Sequence, residues 1–210
     1  MTTTKMLSSQ DSNAIKMAKD IIQEGGLIAF PTDTIYGLAA DPFNPDALKK
    51  IYQAKERSQE KALPVLIANL FQLKQFVPFV SEQIKRLAQA FWPGPLTLVM
   101  DKKTDLPSEL STYPTIGIRM PNLDFTLRLL CATGPLATTS ANISEEGNTT
   151  TAEKVFSQLN DRVDLILDGG QTPGMTASTV LDVSQSNLRI LRPGPISLED
   201  IQAALKTQDN

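Results

Sequence analysis

In Leu27-Ile28-Ala29-Phe30-Pro31-Thr32-Asp33-Thr34-Ile35-Tyr36-Gly37, four apolar residues stand between Gly25-Gly26 and a proline. A run so short, bounded by chain breakers, reads as a buried strand. The strand leads directly into hydroxyls, Thr32 and Thr34, and then Gly37, where a backbone or a ligand can approach closely. Before it, residues 11–24 set Ile15, Ala18, Ile21 and Ile22 on one helical face, and Gly25-Gly26 ends that helix. Helix, buried strand and polar loop in succession predict an α/β fold.

Two distant stretches share this character. Lys55-Glu56-Arg57 follows a helix that opens at Asn44-Pro45 and carries Leu48, Ile51 and Tyr52; Lys61 lies four residues beyond Arg57. Arginine presents a planar fork to phosphate or carboxylate, and lysine a compact point charge. Thr138-Thr139-Ser140-Ala141-Asn142 follows the short apolar run at Leu136-Ala137. Hydroxyls, amides and cations at the ends of regular elements are the materials of an anionic nucleotide site. Each stretch also has a plainer reading: a turn at Thr32-Asp33, a solvated loop pairing with Glu56 and Glu60, and a helix cap after Ser140.

Further strands are predicted at residues 63–68, 96–100, 115–120, 136–138, 163–167, 178–183 and 188–191, and helices open at Ser81, Asn122, Thr151 and Ser197. Thr115 and Arg119, four apart on a strand, share a face. Arg192 ends the last strand and faces either a ligand or solvent. Trp92-Pro93-Gly94-Pro95 reads as a packed turn, and Cys131 as a small buried hydrophobe. These elements predict one α/β domain over residues 1–210, a twisted mixed sheet flanked by helices. Its core spans 11–205, with flexible ends at 1–10 and 207–210.

Composition narrows the chemistry. The 210 residues contain no histidine and one cysteine, which removes Ser-His-Asp and Cys-His nucleophile systems, His-ligated zinc, Cys-rich metal clusters and internal disulfides. An enzyme built this way works by positioning and electrostatics. The net charge of −3 argues against broad nucleic-acid binding but allows a local basic pocket. No apolar run reaches the roughly 20 residues that span a bilayer, and no apolar signal core occupies the first ten residues, so a cytoplasmic location without membrane partners is expected. Neither G-x-G-x-x-G after the first strand nor G-x-x-x-x-G-K-[ST] occurs.

Taken in order, seven stretches resemble the YrdC-type L-threonylcarbamoyladenylate synthase family in its short, single-domain form. They are residues 25–38, Lys55-Glu56-Arg57, Trp92-Pro93-Gly94-Pro95-Leu96-Thr97, Ile118-Arg119-Met120-Pro121, Ser140-Ala141-Asn142, Ser178-Thr179-Val180 and Arg192-Pro193-Gly194. The resemblance implies a twisted mixed sheet with a deep, positively lined concavity. It implies synthesis of threonylcarbamoyl-AMP and pyrophosphate from L-threonine, bicarbonate and ATP with Mg²⁺. The product then passes to a complex that modifies tRNA beside the anticodon, with weak tRNA binding a further expectation.

By motif, Thr32, Arg119, Thr138 and Ser178 are expected to hold threonine. Arg57, Lys61, Thr115, Ser140, Asn148 and Arg192 are expected to line the ATP site, and Lys55 and Arg57 to carry catalysis. Ser58 stands where many relatives have proline, and Leu66 where longer ones have histidine. The competing expectations are a paralogous enzyme acting on another carbamoyl adenylate and a non-catalytic RNA-binding module.

Overall fold

The computed structural model describes residues 3–185 and 187–206. Its strands are β1 (Lys5–Ser8), β2 (Ile28–Phe30), β3 (Gly37–Ala40), β4 (Val65–Leu66), β5 (Leu96–Asp101), β6 (Thr115–Arg119), β7 (Leu136–Ser140), β8 (Leu165–Asp168), β9 (Thr179–Asp182) and β10 (Arg189–Arg192). Its helices are α1 (Ala14–Gln23), α2 (Pro45–Lys55), α3 (Glu82–Phe91), α4 (Asp124–Thr133), α5 (Ala152–Leu159) and α6 (Leu198–Lys206), with a 3₁₀ helix at Leu70–Gln75. The strands form one mixed sheet in the order β1-β8-β2-β3-β7-β4-β6-β5-β9-β10. The pairs β1–β8, β2–β8, β4–β6 and β5–β9 are parallel, and the remaining five are antiparallel.

Alternation along the strands feeds two cores. Ala29, Leu38, Ala40, Ile118 and Ile166 pack with α2, α3 and α5 on one face. Ile28, Phe30, Ala39, Leu165 and Leu167 pack with α1 and α4 on the other. A strand buried on both faces needs apolar residues at every position. That is why Leu27-Ile28-Ala29-Phe30 is an unbroken apolar run.

The helix starts follow from their caps. Asn44 Oδ1 accepts from the amides of Asp46 and Ala47, ahead of Pro45 in the first turn. Ser81 Oγ accepts from Ile84 N, and Thr151 Oγ1 from Lys154 N. Ser197 and Asp200 exchange side chain-to-backbone bonds before α6. Each such cap stabilises its helix by about 1 kcal/mol.

Several expectations are corrected. Lys5–Ser8, assigned to a flexible end, pairs in parallel with β8. Thr4 Oγ1 fastens that segment by donating to Val163 O and accepting from Asp161 N. The expected ends at residues 1–2 and 207–210 lie outside the described residues. Asn122 does not cap α4, which starts at Asp124 after an extended Leu123 with no side-chain cap. Cys131 lies on the exposed side of α4. The strand expected at 63–68 shortens to Val65–Leu66, and β3 joins the sheet from a stretch for which the sequence predicts no strand.

Candidate active site

The sheet face covered by α1 and α4 continues as the floor of a cleft of about 270 Å³. Leu66 belongs both to the α1/α4 cluster and to the cleft wall. Thr138 and Ser140 follow Leu136 at two-residue steps and therefore point the same way. Thr97 and Arg119 likewise alternate with Leu98 and Ile118, which face the other core. The Thr32–Gly37 loop, Arg57, Asn148, Ser178 and Arg192 surround this floor.

At one end the hydroxyls order each other. Thr32 Oγ1 donates to Ile35 O, shares a 2.9 Å bond with Thr34 Oγ1 and accepts from Thr34 N. Arg119 is 6% exposed and held on three sides: Nε donates to Gly94 O, Nη1 to Thr34 Oγ1 and Nη2 to Asp33 Oδ1. Burial lowers its pKa from the ordinary arginine value, and the Asp33 carboxylate opposes that shift. Tyr36 closes the back of this end: its hydroxyl donates to Gly170 O and accepts from Gly169 N. Burial raises the Tyr36 pKa to about 12, so the hydroxyl keeps its proton.

At the other end, Arg192 donates through Nε and Nη2 to Ser178 O and through Nη2 to Ser178 Oγ, which also shares a 2.8 Å bond with Thr97 Oγ1. Arg57 Nη2 donates to Ala62 O, while its buried Nε has no hydrogen-bond partner among the described residues. Burial, then the charges of Arg119 and Arg57, push the Arg192 pKa below the ordinary arginine value. Arg192 is thus repelled by the other two guanidiniums, and no carboxylate is among the residues lining the cleft. An arrangement of this kind stabilises anions.

Eight of the expected site residues meet here: Thr32, Arg57, Arg119, Thr138, Ser140, Asn148, Ser178 and Arg192. Lys55, Lys61 and Thr115 are not in the lining. Lys55 is 1% exposed, and its Nζ donates to Ser140 O and Asn142 O beneath the floor. Burial, reinforced by Arg57 and Lys61, pushes its pKa down to about 7. Lys61 is exposed on its loop, which meets the site through a backbone carbonyl that accepts from Tyr52 and Arg57. Thr115 shares the face of Arg119 but lies four residues along β6, roughly 13 Å away at strand rise. Thr34, Thr97 and Tyr36 line the cleft without having been assigned. Thr97, alternating with two buried leucines, carried the signal.

Among the described residues no helix is long and apolar enough to cross a membrane. Fold and cleft together define an α/β protein with an arginine- and hydroxyl-lined anion site. The family Sua5/YciO/YrdC, described as "Telomere recombination", matches residues 20–194, and the chain belongs to it. Threonylcarbamoyl-AMP synthase of Bacillus subtilis is 40% identical over 205 residues, covering 96% of this chain and 59% of that protein. The putative threonylcarbamoyl-AMP synthase of Mycobacterium tuberculosis is 36% identical over 197 residues, 93% of this chain and 91% of its own length. The crystal structure of Pyrococcus abyssi Sua5 complexed with L-threonine superposes with a TM-score of 0.90 at 35% identity, covering 98% of this chain and 61% of that one. The chain thus spans somewhat under two thirds of the Bacillus and Pyrococcus relatives, 59% and 57%.

Proposed function

We propose that the chain synthesises L-threonylcarbamoyl-AMP from L-threonine, bicarbonate and ATP. The observation that carries this reading is the convergence of Arg57, Arg119 and Arg192 on a cleft lined by hydroxyls and free of carboxylates. All three substrates bring negative charge to one place, and Arg192, repelled by the other two guanidiniums in the free protein, is relieved by receiving it. The Pyrococcus relative complexed with L-threonine supports the amino-acid half of the reading.

In this scheme Arg119 takes the threonine carboxylate, with Thr32, Thr138 and Ser178 around the amino acid. Arg57, Arg192, Ser140 and Asn148 face the nucleotide. The neutral threonine amine bonds to the carbon of bicarbonate with loss of water, giving an N-carboxy intermediate. Its carboxylate oxygen attacks the α-phosphorus as the bond to the bridging oxygen breaks and pyrophosphate leaves. The guanidiniums and main-chain amides offset charge on phosphorus, so no histidine is required. Mg²⁺ bound to the ATP phosphates would shield their charge. The product passes to a complex that modifies tRNA beside the anticodon, in the cytoplasm.

The test is pyrophosphate release from ATP with Mg²⁺ and bicarbonate, with and without L-threonine. Strict dependence on threonine and bicarbonate is expected. Release with another amino acid in its place establishes a paralogous enzyme. Salt-sensitive tRNA binding without ATP turnover establishes a binding module.

A further inference from the structure

The C-terminus of α2 raises a question its own sequence does not answer. A helix leaves its last four carbonyls without intrahelical partners. Tyr52 O and Gln53 O accept from Arg57 N and Glu56 N as the chain turns. Lys55 O accepts from Ser144 N. Ala54 O accepts from a side chain remote in sequence, Arg162 Nη1 at 3.3 Å, and the same nitrogen donates to Glu56 Oε1 at 2.7 Å.

Glu56 is also where the backbone turns left-handed, with φ +52°. Glycine adopts that conformation freely, and a glutamate does so against a steric penalty. The turn directs neighbouring side chains to different places. Lys55 goes under the floor to Ser140 and Asn142, Glu56 goes outward to Arg162, and Arg57 goes into the cleft. Arg162 is itself fixed. Its amide donates to Leu159 O, and the preceding Asp161 N donates to Thr4 Oγ1. Arg162 also borders a second cavity of about 330 Å³ with Lys50, Gln53 and Asp164, and its side chain is 37% exposed. Its guanidinium is tied to the end of α2 by the hydrogen bonds to Ala54 and Glu56.

We propose that Arg162, outside the cleft, is a positioning residue for Arg57, holding the left-handed turn at Glu56 that aims the Arg57 guanidinium at the nucleotide phosphates. The functional half of this rests on the synthase reading; the structural half does not. Partly exposed pairs and single hydrogen bonds are modest contributors. Arg162→Gln is accordingly expected to raise the KM for ATP about two- to fivefold, with the KM for threonine unchanged. Arg162→Lys, which keeps the charge, should fall between wild type and Arg162→Gln.

The experiment measures steady-state pyrophosphate release in Arg162→Gln, Arg162→Lys, Glu56→Gln and the double variant Glu56→Gln/Arg162→Gln, together with hydrogen exchange at the Glu56 and Arg57 amides. If Arg162 acts through Glu56, the double variant is no worse than Arg162→Gln alone. Additive losses, or equal increases in both KM values, overturn the proposal. Exchange at the two amides should be faster in Arg162→Gln, and unchanged exchange overturns the proposal whatever the activity. A wild-type protein that releases no pyrophosphate, but whose amides respond as expected, refutes the synthase reading and leaves Arg162 as the lock on this turn.

Discussion

Asp33 and Arg119 meet 2.5 Å apart in an ion pair whose side chains are 11% and 7% exposed. The contact joins the first polar loop of the chain to the end of β6. Arg119 uses one edge of its fork on Asp33 and Thr34 and its Nε on Gly94, so its orientation is fixed before any ligand arrives. Removing one member of such a pair leaves a buried charge uncompensated, at a cost of roughly 3–5 kcal/mol. Asp33→Ala is therefore expected to lower unfolding stability by about 3 kcal/mol, measured by urea denaturation at neutral pH. A loss within the range of ordinary surface substitutions would show that Gly94 and Thr34 hold the guanidinium unaided.

Lys55 makes a pH prediction. Its pKa falls from the ordinary 10.5 to about 7 in the folded chain. Between those values the unfolded chain binds more protons than the folded one, so stability rises with pH. The contribution is complete above the unfolded pKa and is lost as pH falls through the folded one. A neutral amine still has two N–H groups for Ser140 O and Asn142 O. The stability difference between wild type and Lys55→Met should grow as pH rises from about 7 to 10.5, followed by denaturant titrations at several pH values. A flat difference would mean that the buried group stays charged.

The α/β class and the strand at Leu27-Ile28-Ala29-Phe30 were legible because local signals agreed with the tertiary result: breakers at both ends, apolar residues between, hydroxyls after. The elements missed were held by partners distant in the chain. Lys5–Ser8 is a strand through its backbone bonds to β8, which side-chain pattern does not encode. Gly37–Ala40, with glycine and two alanines, has weak strand propensity and is fixed by β2 and β7 on either side. Within the site, residue type singled out Arg57 and Arg192, and both line the cleft. Lys55 and Thr115 lie outside the lining, because the direction a side chain takes at the end of a helix, and distance along a strand, are three-dimensional properties.

In the proposed scheme, the hydroxyls around Arg119 would discriminate between amino acids. A site built to hydrogen-bond a substrate hydroxyl rejects an analogue lacking it far more strongly than one lacking a methyl. Serine keeps the hydroxyl and valine does not. In the pyrophosphate-release assay kcat/KM for serine is expected about 10–200-fold below threonine, and for valine about 10⁴-fold or more below it. Valine used as well as threonine would show that the pocket reads volume alone.

Gly194 tests how closely the two ends of the cleft wall must approach. A β-carbon there would meet Thr179 N, and would lie 2.6 Å from Ser178 C and 2.8 Å from Ala177 O. All three are backbone atoms and cannot rotate away. The segment that would be displaced carries Ser178, whose carbonyl and hydroxyl orient Arg192 and whose hydroxyl meets Thr97. Gly147, by contrast, has nothing within 4 Å of its would-be β-carbon. Gly194→Ala should therefore weaken ATP and threonine binding together, since Ser178 and Arg192 serve both ends of the cleft in the proposed scheme. Gly147→Ala should change stability by no more than about 0.5 kcal/mol. Calorimetric titration of each ligand into both variants makes the comparison. Unchanged binding in Gly194→Ala would mean that Arg192 keeps its place without Ser178 and that the contact between the two segments serves packing alone.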